Sequence, residues 1–459
     1  MGKNKIVIIG GGITGLTAAY YLQKENIDAE ITLIEQSDRL GGKIQTEEKD
    51  GFTIERGPDS ILERKPAGKR LIEELGLADQ IVHNATGQAF ILSQDHLHPI
   101  PKGGFMGIPT KVTPYAFSSL FSISGKVAAL KDLVRSRSEV EGDISVGQFF
   151  RRRLGNQVVD RLIHPLISGI YAGDIDRLSL MATFPNFYQL EQNHRSLMLG
   201  LKKTMPKKRG GAKSAFITLN GGLQKIVDAL ENELTSTNIL RNTKVKHIEK
   251  NAQNYTIHLV DEEEVLDADH IVMTTPHQVT SKIFSQYDFM HKLMEVKNTS
   301  VANVVLAFNE NAVHDLPNGT GFVVSRKEQY RMTACTWTHK KWPHTTPEGY
   351  VLMRVYVGKP GDEELIQESD EHIKSVVLED LQSVIKIDGD PIFHMVTRWN
   401  EAMPQYTVGH LERLKELENK MAEKLPNVYL AGNAYRGVGI PDCMDQAVAI
   451  ADGISKKIN

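Results

Sequence analysis

Cysteine is almost absent from this chain: its 459 residues include two, Cys335 and Cys443, in no C-x-x-C or His–Cys spacing. That argues against a zinc or iron–sulfur site and suits a reducing compartment, the cytoplasm, with each thiol a small buried hydrophobe. Long apolar runs are absent as well. Nowhere do about twenty apolar residues follow one another, so no membrane-spanning helix is expected and membrane contact is at most peripheral. The apolar start of the chain is broken by Gly10 to Gly12 and reads as a strand, not a signal peptide. No charge sign dominates: 54 basic against 57 acidic residues leave a net −3, with no general pull toward nucleic acid. Ser-His-Asp, metal-ligand and paired-carboxylate arrangements are also missing, so no metal is expected. Contents of 41% hydrophobic and 24% charged residues are ordinary for a globular protein, and the length implies two or three domains.

What is present is concentrated first between Lys5 and Gly42. The run KIVII, Lys5 to Ile9, is apolar and β-branched and suits a buried parallel strand. Gly10, Gly12 and Gly15 follow as G-x-G-x-x-G, and LTAAYYLQKE continues as a helix. The first glycine allows a tight turn, the second a close backbone approach to a pyrophosphate, the third close helix–strand packing. The amides at the helix start then face the phosphate charge. A second apolar run, Glu30 to Ile34, leads to Glu35, about twenty residues beyond Gly15. An acid there accepts hydrogen bonds from ribose hydroxyls and disfavours a 2′-phosphate. The dinucleotide site expected from this unit comprises Gly10, Gly11, Gly12, Ile13, Thr14, Gly15, Glu35 and Gln36.

Arg39-Leu40-Gly41-Gly42 extends the pattern. The whole segment resembles the N-terminal FAD-binding signature of the amine oxidase-like flavoproteins, in which R-x-G-G continues the wrap around the cofactor. The resemblance implies FAD and adds Arg39, Gly42 and Lys43 to the site. A second concentration lies at Gly432-Asn433-Ala434-Tyr435-Arg436-Gly437-Val438-Gly439-Ile440-Pro441-Asp442-Cys443. Its small residues allow backbone amides to approach a flavin ring, and a helix from about Asp442 directs its positive end there. Gly432, Val438, Gly439 and Ile440 are the expected contacts. Gly57, Pro58, Asp59 and Ser60 form a turn after a strand that can line the flavin, and Val245 sits where such folds present backbone to adenine.

Along the chain, βαβ grammar recurs at Leu219 to Leu234, Thr243 to Ile248, Tyr255 to Leu259, His270 to Thr274 and Val428 to Leu430. The expected fold is α/β: a Rossmann-like discontinuous FAD-binding domain (1–64, 210–280, 395–459), an antiparallel-sheet substrate domain (65–100, 281–394) and a mainly helical insertion (101–209). The insertions are expected to cover the flavin as substrate-binding parts. Val146 to Leu166 reads as amphipathic helix. Phe105 to Leu133 interleaves aromatic and aliphatic residues with Ser and Gly, either a cavity wall or a lipid-touching surface. The cluster Lys202, Lys203, Lys207, Lys208, Arg209 and Lys213 reads as a solvated mobile loop in preference to an anion-binding lip.

Nearly the whole chain resembles the porphyrinogen oxidases of haem synthesis, through VIIGGGITGL, RLGGKIQT, IERGPDS, PKGGFMGIP, LISGIYAGD, NGGL, TRW, MPQY and GVGIPDC. It is most similar to the soluble coproporphyrinogen III oxidases of the Gram-positive bacterial route. The resemblance implies three two-electron oxidations of coproporphyrinogen III to the porphyrin, with oxygen as acceptor and hydrogen peroxide as product. It also implies a cavity combining flat apolar walls with cations for four propionates. Tyr171 and Tyr356 are candidates to line it, Arg64, Lys65, Arg195 and Arg354 to hold propionates, and Trp399 to pack near the flavin. No cysteine shortly precedes Gly437, where a covalent flavin link would be expected in monoamine oxidases, so the FAD is expected to be noncovalent. One position departs: after the Gly-Pro pair the eukaryotic protoporphyrinogen oxidases carry an arginine where this chain has Asp59, and an acid there would repel a propionate. A ferrochelatase, the next enzyme of the route, is a candidate partner.

Overall fold

Ile6 to Ile9 have no polar face, and the structure buries them on both sides. The computed structural model describes residues 3–139, 142–204, 215–359 and 361–459. It places the strand Asn4–Ile9 at the centre of a five-stranded parallel sheet. Its neighbours are Ala29–Ile34 and then Thr237–Leu240 on one side, His270–Met273 and then Val428–Leu430 on the other. Ile6 and Ile8 pack under the first helix, Ile13–Lys24, and the last, Ile440–Ile458. Val7 and Ile9 face the opposite layer with Ile248, Ile257 and Leu417. A strand buried on both faces is the pattern of a parallel sheet flanked by covering layers. Ala18, Ala19, Ala447 and Ala451 are all fully buried, small side chains that let these two helices approach closely.

This first compact unit comprises Met1–His83, Ala215–Lys297 and Leu411–Asn459; the second comprises Asn84–Ser214 and Asn298–His410. The boundaries differ from those read along the sequence. Residues 65–83 belong with the parallel sheet's unit because Ile81–His83 pairs with Phe216–Leu219. Residues 281–297 join it too, through Ile283, Phe284, Met290 and Leu293 in its core. Trp399, expected in the cofactor domain, lies instead on Phe393–Pro404, an edge strand of the second unit's sheet.

That second sheet has seven strands, antiparallel apart from the pairing of Gly321–Val324 with Phe90–Ser93. One face is apolar: Val304, Leu306, Met353, Val355 and Val396 pack with Ile373, Val377 and Leu381 of the helix Asp370–Gln382. The helical segment is not a separate domain; it shares this unit. Its expected long helix is interrupted, with Val146–Leu154 ending at Gly155 (φ 82°) before a short π-helical stretch and His164–Tyr171. A left-handed glycine stops an α-helix, and an amphipathic pattern does not register that stop. Within Phe105 to Leu133, Tyr115, Leu120 and Phe121 are buried, whereas Phe117 and Ile123 are over 80% exposed. Lys202 and Lys203 end the helix Leu197–Thr204; Lys207, Lys208, Arg209 and Lys213 lie outside the described residues.

The helical part is organised around a buried ionic cluster. Arg153, fully buried, donates from Nε to Asp132 at 2.6 Å and from Nη1 to Glu191 at 3.1 Å. Asp132 also accepts from the Ser196 hydroxyl (2.6 Å) and the Met198 amide (3.0 Å), and Glu191 from Arg152 (2.8 Å). Arg195, a candidate propionate cation by sequence, instead donates to the Leu133 carbonyl at 2.9 Å. Removing one member strands a buried charge, so Asp132→Ala is expected to destabilise the protein by roughly 3–5 kcal/mol. Denaturant unfolding measures this; a change within about 0.5 kcal/mol, as at a surface site, would show that the cluster holds nothing together.

Candidate functional site

Three glycines of the first turn are needed for two different reasons. A Cβ on Gly15 would fall 2.0 Å from the Gly10 carbonyl oxygen, and one on Gly10 (φ 111°) 2.6 Å from the Thr274 hydroxyl. Those glycines are required by the protein's own packing. Gly12 is not: its φ is −74°, and a Cβ there would meet no protein atom nearer than the Gly42 Cα at 3.9 Å. Its missing side chain leaves a cradle between the two glycine turns, bounded by the start of the first helix. That helix has no side-chain cap and no acid in its first turn. Amides so placed suit a phosphate group.

The second glycine turn is held against the first. The Gly41 amide donates to the Gly11 carbonyl (2.9 Å), and Arg39 donates to the carbonyls of Leu40, Gly42 and Ile44 at 3.2, 2.5 and 3.2 Å. Arg39 therefore shapes the turn by binding its backbone. Glu35 joins both loops: Oε2 accepts from the Gly11 amide, and Oε1 from the Ser37 amide and hydroxyl, all at 2.8 Å. Oε2 retains a second lone pair for a ribose hydroxyl. The Thr243 amide donates to the Glu35 carbonyl (3.0 Å), bringing the segment before the buried Val245 beside it. Gln36 is exposed at the edge.

The C-terminal segment reaches the same place. Gly432 lies beside Thr14, with its Cβ direction 3.6 Å from the Thr14 hydroxyl, and its amide donates to Gln446 (3.2 Å). Tyr435 is buried and donates to Thr280 at 3.0 Å. Val438, Gly439 and Ile440 are half-buried at the start of the last helix. That helix begins at Ile440, so Asp442 falls in its first turn and accepts from the Gly439 amide at 3.2 Å. Lys65 pairs with the same carboxylate. A third glycine turn, Asn220-Gly221-Gly222, precedes the helix Gln224–Glu233; there Glu55 accepts from the Leu223 amide at 2.6 Å. At the last two of these helix starts a carboxylate takes the N-cap amide, of Gly439 and of Leu223; at the first, Glu35 takes the amide before the cap, that of Gly11. Gly57, Pro58, Asp59 and Ser60 are half-buried after the strand Phe52–Glu55, and Ser60 donates to Asp59 at 2.8 Å.

Lys43 and Cys443 complete the cluster. Burial lowers the Lys43 ammonium to about 8, against a weak opposing effect of Cys443, and burial pushes the Cys443 thiol up to about 11. Sequence reading placed Lys43 by adjacency to Gly42; the role of Cys443 as its neighbour, 400 positions away, had no local signal.

In the second unit, the other face of the seven-stranded sheet is polar and largely buried. Arg354, Asn303 and Thr397 are under 7% exposed, Tyr356 and Trp399 half-buried. Asn303 is in register with both Tyr356 and Thr397. The Arg354 guanidinium lies 5.5 Å from the Tyr356 ring centre. Tyr171 is buried with its ring against Phe184 and Tyr406, and its carbonyl accepts from Gln405 at 2.7 Å. Arg64 is exposed.

Residues 13–455 match the model of the flavin-containing amine oxidoreductases. The chain belongs to that family. The flavin-containing amine oxidoreductases are oxidoreductases, and a flavin fits the cradle at Gly12. The coproporphyrinogen III oxidase of Bacillus subtilis (strain 168) is 50% identical over 99% of this chain and 98% of its own length. The enzyme of the same name from Staphylococcus aureus (strain NCTC 8325 / PS 47) is 42% identical over 98% of each. A solved structure from Exiguobacterium sp. 255-15 superposes with a TM-score of 0.90 at 38% identity, covering 100% of both chains. UDP-galactopyranose mutase shares the fold at 16% identity and a TM-score of 0.74, over 99% of this chain and 94% of its own. No helix among the described residues is long and apolar enough to cross a membrane.

Two outcomes follow from this geometry. Glu35→Gln sets an amide N–H against either the Gly11 or the Ser37 amide, so flavin binding should weaken by about 1–3 kcal/mol, roughly 5- to 150-fold. Titrating flavin into stripped protein measures it, and an unchanged dissociation constant would remove Glu35 from the site. The Lys43 ammonium, lowered by burial, is charged in both states below about 8 and disfavours folding there. As pH rises toward its ordinary value of about 10.4 the unfolded state alone keeps the proton, so this penalty disappears. The thermal midpoint of the flavin-stripped protein, relative to Lys43→Met, should therefore rise between about pH 8 and 10.4; a flat difference would refute the burial.

Proposed function

We propose that this protein oxidises coproporphyrinogen III to coproporphyrin III in haem synthesis. The observation that carries the proposal is 50% identity, from end to end, to a protein of that name. Bound FAD would supply the two-electron acceptor for each of three rounds in which a meso carbon gives up hydride, with three protons departing to water and oxygen ending as hydrogen peroxide.

The chain's residues have separate tasks in this reading. The amides at the start of the first helix hold the pyrophosphate, and Glu35 the ribose hydroxyls, with Gln36 at the rim. Arg39 and Gly42 keep the second glycine turn in place, where Lys43 adds charge to the phosphate cradle. Val245 contacts adenine; Gly57 to Ser60, Gly432 and Val438 to Ile440 line the flavin. A missing covalent anchor leaves the FAD noncovalent: the nearest cysteine, Cys443, is a buried thiol raised to about 11 and unsuited to linkage.

A planar macrocycle suits a sheet face, and the face bearing Tyr356, Asn303, Thr397 and Arg354 offers one cation among neutral hydrogen-bonding groups. Tyr356 contacts the substrate there, with Tyr171 at its margin, and Arg354 meets a propionate. No base is required of the protein, because aromatisation is downhill and orientation supplies most of the rate. The enzyme acts in the cytoplasm, and the porphyrin is poorly soluble, which favours hand-over to a ferrochelatase.

The test is anaerobic mixing of the purified yellow protein with coproporphyrinogen III or protoporphyrinogen IX, following flavin bleaching. Faster bleaching by coproporphyrinogen, then porphyrin fluorescence and peroxide on admitting oxygen, is the expected result. Faster bleaching by protoporphyrinogen would overturn the substrate, and no bleaching by either would overturn the reaction.

A further inference from the structure

A β-bulge gives the first unit a second cluster of ligating side chains. The strands Val245–Lys250, Tyr255–Leu259 and Val265–Ala268 form a three-stranded antiparallel sheet. Val245, Ile248, Tyr255, Ile257 and Leu259 all face the core. Strict alternation cannot bury both Val245 and Ile248, since they are three apart. The register shift between Val245 and His247 resolves this. Beyond the bulge the phase is reversed, and His247 and Glu249 emerge on the solvent face. His258, directly across from His247 on the next strand, emerges there as well.

The three side chains converge. The His247 Nε2 lies 3.2 Å from one Glu249 oxygen, and the His258 Nε2 lies 3.5 Å from the other. All three ligand atoms lie within 4.8 Å of one another. The two imidazoles stack with centroids 4.2 Å apart and planes 6° from parallel. A tetrahedral zinc centre with bonds of roughly 2.0–2.1 Å spaces its ligand atoms about 3.3 Å apart. Two imidazole nitrogens and one carboxylate oxygen are a donor set suited to zinc and its borderline neighbours, not to calcium or magnesium. The two ring planes are parallel, so to share one divalent cation each ring turns about its Cβ–Cγ bond until both Nε2 lone pairs converge on it.

We propose that His247, Glu249 and His258 form a zinc-binding site on the solvent face of this sheet, independent of the flavin reaction. Coordination is through Nε2 of both rings, which sets both as Nδ1–H tautomers. Three protein ligands leave the fourth position to water or to a donor from another molecule. The ion cross-links the first two strands of the sheet.

The test uses the full-length flavin-loaded protein, treated with EDTA, exchanged into chelator-free buffer and titrated calorimetrically with zinc sulfate. One saturable site per chain is expected in the native protein and none with the same affinity in His247→Ala/His258→Ala. His247 and His258 are half-buried, so Glu249→Gln, at an exposed position and close in shape, gives a second readout that does not depend on the folding of the double variant. It should weaken binding by at least the roughly 10- to 100-fold that loss of an outer-sphere partner costs. Anomalous diffraction at the zinc edge should place the ion between the two strands. Absence of saturable binding, or equal binding by the native protein and both variants, would reduce the trio to a surface ion pair and overturn the proposal.

Discussion

The first unit depends on a contact too close for a methyl group. The backbone of Gly15 lies so near the Gly10 carbonyl that a Cβ would sit 2.0 Å from the oxygen. This sets the start of the first helix against the end of the central strand. The Thr274 hydroxyl donates to the carbonyls of both Ile9 (3.0 Å) and Gly10 (2.9 Å), joining a third parallel segment to the same point. Everything else in the site takes its position from there: the Arg39–Gly42 turn through Gly11, the acid Glu35 through the same residue, and the C-terminal segment through Thr14. A side chain at Gly15 would displace all of these together, because a packed core answers a steric insult by moving and not by compressing.

The second unit solves a different problem with one sheet. Its two faces have opposite composition because strand residues alternate. Val304, Leu306, Met353 and Val355 go to the helix-covered core, while Asn303, Arg354 and Tyr356 go to the other side. Burying Arg354 and Asn303 carries a desolvation cost that an apolar sheet would avoid.

Much of this was legible in the sequence where the determinant is local. The glycine fingerprint, Glu35 and the strands Tyr255–Leu259 and Val428–Leu430 stand where spacing places them. The legible part ends where a distant partner decides. Hydrophobic pattern carries Val146 to Leu166 as one helix, but Gly155 takes a left-handed conformation and ends it. Arg195 and Lys65 look like cations awaiting an anion, yet the Leu133 carbonyl and Asp442 engage them. The spacing of His247 and His258 resembles no metal motif; a hairpin and a bulge bring their rings into a stack with centroids 4.2 Å apart. The domain boundaries shifted for the same reason, since strand pairing between 81–83 and 216–219 cannot be read from either segment alone.

The carboxylates of Glu55 and Asp442 distinguish the helix starts from one another. The chain repeats a glycine turn before a helix at three places, and each repeat creates outward-facing amides that attract negative charge. At two of them the chain carries its own counter-charge: Glu55 at the Leu223 amide and Asp442 at the Gly439 amide. Those acids act as built-in counter-charges at their helix starts. A fold that contains the same receptor three times thereby keeps one N-cap, that of the first helix, clear of its own carboxylates.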